Sequence, residues 1–224
     1  MNAKEVFLIV TFLLAGTLLN IGYPVVAMAY AIPVSIEFVI AAYCLVAMLA
    51  VPLRMAEIAG IGILAGILTI LSNYVHIVTL ISGHASWKAL CMALANLVSE
   101  PAGIVVCFIS FLYLAARVRA TAPFAAAFPA TMASGLTYLA LLLLLTLHIP
   151  TTQPGFLEAF LFRIVLAAIV NAAVVQVVFM VAERPVNRYL AGPAAGAGAD
   201  IYSRSFPGVR EDLPPEIFTG TKKS

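Results

Sequence analysis

FAAAFPATMASGLTYLALLLLLTL, residues Phe124 to Leu147, contains no charged side chain. As a helix it would be about 36 Å long, more than the roughly 30 Å of a bilayer's hydrocarbon core. Moving outward, a second such run, Phe156 to Val181, carries only Glu158 and Arg163 and closes at Glu183-Arg184-Pro185. Upstream, a span follows Pro101 and ends at Arg117-Val118-Arg119. Three more apolar runs precede it: Val6 to Ile21, about Ser35 to Val51 ending at Pro52-Leu53-Arg54, and Glu57 to about Leu71. The spacing therefore predicts an all-α integral membrane protein, a bundle of about six transmembrane helices over residues 1–190.

Composition agrees. Of 224 residues, 63% are hydrophobic and 10% charged, and the mean hydropathy is +1.09. Soluble domains carry roughly 25% charged residues, so no soluble fold could clothe this chain. With about 20 residues per span, no length remains for a soluble catalytic domain. Net charge is +2 and the basic residues are dispersed, which gives nucleic-acid binding no support. Cys44, Cys91 and Cys107 lack CxxC spacing and read as small apolar packing residues.

Alternating six spans puts Lys4, Arg54, Arg117, Arg119, Arg184 and Arg188 on one side of the membrane. Lys88 and Arg163 fall toward the other. The basic side is expected to be cytoplasmic, with both termini there and the protein multi-pass in the cell membrane. The first run could also serve as a signal peptide, since Ala27-Met28-Ala29 fits a small-x-small cleavage site, but Glu5 offsets Lys4 at its start and an anchoring span is expected. Residues 191–224 open Ala-Gly-Pro-Ala-Ala-Gly-Ala-Gly-Ala and cannot bury enough apolar surface to fold alone. They are expected to form a disordered cytoplasmic tail. Small residues recur at four-residue spacing at Gly62 and Gly66, Ala130 and Ser134, Ala168 and Ala172. Such pairs let backbones approach closely, either within the bundle or against a separate membrane subunit.

Polar side chains at membrane depth are costly and therefore informative. On the expected topology Glu37, Tyr74, Trp87, Asn96, Ser99, Glu100 and Arg163 all fall in the outer half. In Asn96-Leu-Val-Ser99-Glu100-Pro101 the proline suits a first helical turn and the serine an N-cap. A helix break is expected there, of the kind that lines binding cavities in transporters; an ordinary interfacial helix start is the plainer reading. Were the stretch helical instead, Asn96 and Glu100 would share one face. Arg163 reads either as snorkelling to the outer interface or as a counter-ion for a ligand carboxylate or for Glu100. His76, His84 and His148 lack ligand spacing, so neither metal nor cofactor is expected. Trp87 and Tyr74 suit an aromatic belt, and Asn171 an interhelical hydrogen bond.

Several of these pieces together resemble the tryptophan transport protein family, six-helix proteins similar to the substrate-binding (S) components of energy-coupling-factor transporters. The resembling stretches are Asn2-Ala3-Lys4-Glu5-Val6, Gly60-Ile-Gly-Ile-Leu-Ala-Gly-Ile-Leu68, Asn96-Leu-Val-Ser-Glu-Pro101, Ala133-Ser-Gly135 and the Asn171-containing span ending in Pro185. The resemblance covers roughly Asn2 to Leu190. It implies uptake of tryptophan or a similar amino acid or vitamin, bound near the outer face. It also implies a separate transmembrane coupling subunit and two ATPases as partners, because this chain has no GxxxxGK[ST] loop. The segment Ser72 to Val98 is long for the family and the tail is additional. An amino-acid zwitterion would suit the polar residues: Glu100 or Glu37 for the ammonium, Arg163 or Lys88 for the carboxylate, Trp87 or Tyr74 for the ring. The competing expectation is a non-catalytic structural or assembly subunit of a larger membrane complex. An enzyme is not expected, since no nucleophile–base pair or metal motif is legible.

Overall fold

A computed structural model describes residues 1–29, 37–50, 53–72, 87–146 and 156–191. Tyr74, His76, His84, His148 and the tail from residue 192 lie outside the described residues. Six helices make up the described chain, with no strand among them: α1 (Ala3–Ala29), α2 (Phe38–Leu49), α3 (Met55–Ser72), α4 (Trp87–Ala115), α5 (Ala122–Thr146) and α6 (Phe156–Ala191). All but α2 are long and apolar enough to cross a membrane. Their outward faces carry large apolar side chains such as Leu18, Ile109, Leu144, Val177 and Met180, where lipid rather than water is the compatible solvent. The described residues are thus all-helical, and their five long apolar helices are compatible with a multi-pass membrane bundle.

The expected second span differs from the others. Its helix covers twelve residues, about 18 Å at 1.5 Å per residue, which is too short to cross by itself. Every residue from Val39 to Ala50 is buried, and α2 touches all five other helices. That placement explains its sequence, because a helix apolar all round belongs in a core. Gly16 of α1 makes part of the fit: a methyl there would collide with the Ala42 side chain and the Phe38 carbonyl.

The basic residues gather as the alternation required. The Met1 amine lies 3.1 Å from the Glu57 carboxylate, so α1 and α3 start at one end, and α2 belongs to the returning leg between them. Lys4 Nζ donates to the Tyr189 carbonyl at 2.9 Å, and Arg119 lies 3.8 Å from Glu183. These contacts bring the α4–α5 turn and the end of α6 to that same end.

Two expected boundaries are corrected. No break occurs at Asn96–Pro101: α4 is helical from Trp87 through Pro101 to Ala115. The reason lies across the interface, where methyls on Gly62 and Gly66 of α3 would meet the backbone of Pro101, Asn96 and Leu97. Close backbone packing on α3 holds the helix through a proline that local propensity would use as a start, as neighbouring helices do within membranes. Of the small-residue pairs, this one is therefore engaged inside the bundle. Likewise α6 continues past Pro185 to Ala191, where Val186 and Leu190 are buried in the core.

On the positive-inside rule the basic end is expected to face the cytoplasm. With the three native cysteines buried, a membrane-impermeant maleimide should label a Glu158→Cys variant in intact cells. It should reach an Arg188→Cys variant only after permeabilisation; the opposite pattern would invert the topology.

Candidate functional site

Counting residues along each helix from the basic end places Thr69 of α3, Glu100 of α4 and Ser134 of α5 at one depth, roughly 20 Å in. Their side chains meet there. Thr69 Oγ1 donates to Glu100 Oε1 at 3.3 Å, and Ser134 Oγ donates to Glu100 Oε2 at 3.2 Å. All three residues are buried, Glu100 at 4% exposure. A charge at this depth costs about 2.5–3.5 kcal/mol on the insertion scale. Two hydrogen bonds to a carboxylate, each worth about 1.5–3 kcal/mol, are of the size needed to offset that.

Tyr43 of α2 completes the wall. Its hydroxyl acts on Glu100 from close by, is wholly buried, and has no hydrogen-bond partner of acceptable geometry. Room for it exists only because residue 103, one turn beyond Glu100, is glycine. A methyl at Gly103 would collide with the Tyr43 hydroxyl and press on Ser134 Cβ and the Ala130 carbonyl.

A second polar group adjoins the first. The backbone N–H of Glu37, at the start of α2, donates to Asn171 Oδ1 at 3.3 Å, the interhelical bond expected of Asn171. Asn171 is fully buried, and its Nδ2 has no partner; flipping the amide would only face N–H against N–H. Asn171 stands about 22 Å from the start of α6, so α2 begins inside the bundle. The helix terminus that sequence placed at Ser99 is found at Glu37 instead. The Glu37 carboxyl, half-buried, acts electrostatically on both Glu100 and Tyr138.

The sequence-selected residues thus divide. Glu100, Glu37 and Asn171 come together. Asn96 is buried on the Glu100 face of α4, one turn away, which is the shared-face alternative. Ser99 is buried but is no N-cap: its hydroxyl returns to the Asn96 carbonyl at 3.3 Å. Arg163 is exposed on α6 and does not join the cluster. Trp87, 64% exposed at the start of α4, stands apart from it as well. Tyr43 was not legible as a site residue, because a tyrosine in an apolar run reads as core packing or aromatic belt, and Thr69 was not because a lone threonine hydroxyl in an apolar run ordinarily bonds back to its own helix. Thr17 and Thr131 do just that. Ser134 was legible only as a small packing residue.

The crowding at Gly103 makes a direct test. Gly103→Ala should destabilise the purified protein by about 1–3 kcal/mol, and Tyr43→Phe, which removes the oxygen the methyl meets, should restore part of that loss. A double-mutant cycle in thermal unfolding without coupling would place the Tyr43 hydroxyl elsewhere. Comparison of the chain with family models, with curated proteins and with solved structures finds no match.

Proposed function

We propose that this bundle is a carrier for uptake of a small amine-bearing nutrient across the cell membrane, tryptophan or a related amino acid being the cargo that the family resemblance favours. The observation that carries the reading is the pair of buried, unpartnered polar atoms, Tyr43 Oη and Asn171 Nδ2, beside carboxylates deep in an apolar bundle. Structural polar contacts in membranes are made to be satisfied. Groups left waiting at membrane depth are what a transported solute would complete, and ionisable residues there are functional by default.

The chemistry suits a zwitterion. Glu37 faces the ammonium at the half-exposed rim of the cluster, and the free Asn171 Nδ2 donates to the cargo carboxylate. The half-buried Tyr138 ring of α5 offers an aromatic wall to a side chain. The start of α2 lies inside the bundle beside both, and its positive dipole end adds to the attraction for the carboxylate. Energy for uptake is assigned to partners, a membrane coupling subunit and ATPases, in line with the resemblance.

Calorimetry on the detergent-purified chain tests this. Tryptophan should bind the parent, and Glu37→Gln or Asn171→Ala should weaken binding by about tenfold or more, since a hydrogen bond to a charged partner is worth about 1.5–3 kcal/mol. Arg163→Gln should leave affinity unchanged, because that side chain points away from the cluster. A folded parent that binds none of the amino acids or vitamins offered would leave the structural-subunit reading in its place.

A further inference from the structure

The geometry points to a site for one monovalent hard cation, of the sodium class, formed by the Glu100 carboxylate with the hydroxyls of Thr69, Ser134 and Tyr43. This inference rests on the reading of the cluster as the working site and adds to it a second ligand.

The donor set is all oxygen: Oε1 and Oε2 of Glu100, Oγ1 of Thr69, Oγ of Ser134 and Oη of Tyr43, supplied by four helices. Hard cations select such donors. No group of three or more histidine, cysteine, aspartate or glutamate side chains gathers among the described residues. The side chains that converge on Glu100 thus offer oxygen rather than a transition-metal ligand set. Glu100 is the one carboxylate among these donors, so a single positive charge matches the donor set, and the Glu37 carboxyl acts on it from the rim without being a donor. A divalent ion would leave net charge buried, and calcium sites use six to eight oxygens with more carboxylates.

Spacing agrees with this occupant. The hydroxyls stand 3.3 and 3.2 Å from the carboxylate oxygens, against a usual O–H···O separation of about 2.7–2.8 Å. Oxygens arranged about 2.3–2.6 Å from a hard cation of calcium's size stand about 3.3–3.7 Å from each other along an octahedral edge, and the hydroxyl–carboxylate separations lie at the short end of that range. The independent observation is Tyr43: a wholly buried hydroxyl beside Glu100 that makes no hydrogen bond of acceptable geometry, admitted to the cluster by a glycine that leaves it space. A cation between it and Glu100 would take up the Tyr43 lone pair and turn three loosely held hydroxyls into ligands. Glu37, at the rim, is not one of these donors and keeps the role proposed for it toward the cargo ammonium.

Thermal unfolding of the full chain in detergent, without tryptophan, tests the site. Sodium chloride should raise the melting temperature saturably by several degrees over choline chloride at equal ionic strength, as a ligand selective for the native state must. Glu100→Gln should abolish the increment. Tyr43→Phe should melt no lower than the parent in choline chloride, since it removes an unpartnered hydroxyl, yet shift the sodium midpoint upward by about tenfold. Equal melting of the parent in the two salts would overturn the site, as would a Tyr43→Phe midpoint unchanged from the parent's. Titrating tryptophan with and without sodium separates the two readings. Tryptophan binding in a protein indifferent to sodium leaves the carrier and removes the cation; a sodium increment without tryptophan binding does the reverse.

Discussion

A carboxylate held by hydroxyls at membrane depth is the constraint around which this molecule is arranged. Glu100 lies in an apolar bundle with its two oxygens taken by Thr69 and Ser134 from helices on either side. Those bonds require α3 and α5 to lie close to α4 at one level, and the small residues answer the requirement. Gly62 and Gly66 bring the α3 backbone against α4, while Gly103 admits the Tyr43 hydroxyl on another side. Without close approach the hydroxyls would not reach, and the carboxylate would stand in hydrocarbon at a cost of several kcal/mol. Apolar contact alone drives little association between helices in lipid, so backbone proximity and these bonds share the work of holding α3, α4 and α5 together.

The short helix α2 gives the cluster its fourth wall and its asymmetry. Five longer helices surround it, so its ends need not reach either face of the bilayer. Its first turn consequently lies at depth, where its amide groups seek partners that water cannot supply. Asn171 answers one of them. A helix start, a half-buried carboxyl at Glu37 and a spare amide thus occur together because α2 is short. That shortness fits its composition: a run apolar on all faces is as stable enclosed by helices as it is in lipid.

What could be read from sequence follows from which forces are local. The spans, and the gathering of Lys4 and Arg119 with the end of α6, were legible because hydropathy and loop charge act residue by residue. Glu100 and Asn171 stood out because a polar group in an apolar run is conspicuous in one dimension. The Asn96–Pro101 break failed as an expectation because proline propensity is local while Gly62 and Gly66, which override it, lie on another helix. For the same reason Ser99 was assigned to a cap it does not form. Tyr43 and Thr69 were illegible as site residues: a buried hydroxyl acquires meaning only through what faces it, and that depends on how helices pair. Arg163 shows the converse, a conspicuous charge that the rotation of α6 turns outward.

The distinction between structural glue and a working site can be drawn inside this one bundle. Asn20 Nδ2 donates to Ser72 Oγ at 3.1 Å, and Ser72 in turn donates to the Thr69 carbonyl; this chain is closed, and nothing in it asks for another molecule. Tyr43 and Asn171 differ in kind. Each keeps a buried polar atom without an aligned partner, and leaving a buried donor or acceptor unmet costs about 1–3 kcal/mol. Of the three buried side-chain atoms without partners among the described residues, only Asn187 Oδ1 lies away from this level, one turn from the basic end of α6. The other two flank the same carboxylates. Glue of this size could have been made more cheaply by a closed pair such as Asn20 and Ser72. An open set, kept at one depth by close glycine contacts, is the arrangement expected where something enters and leaves.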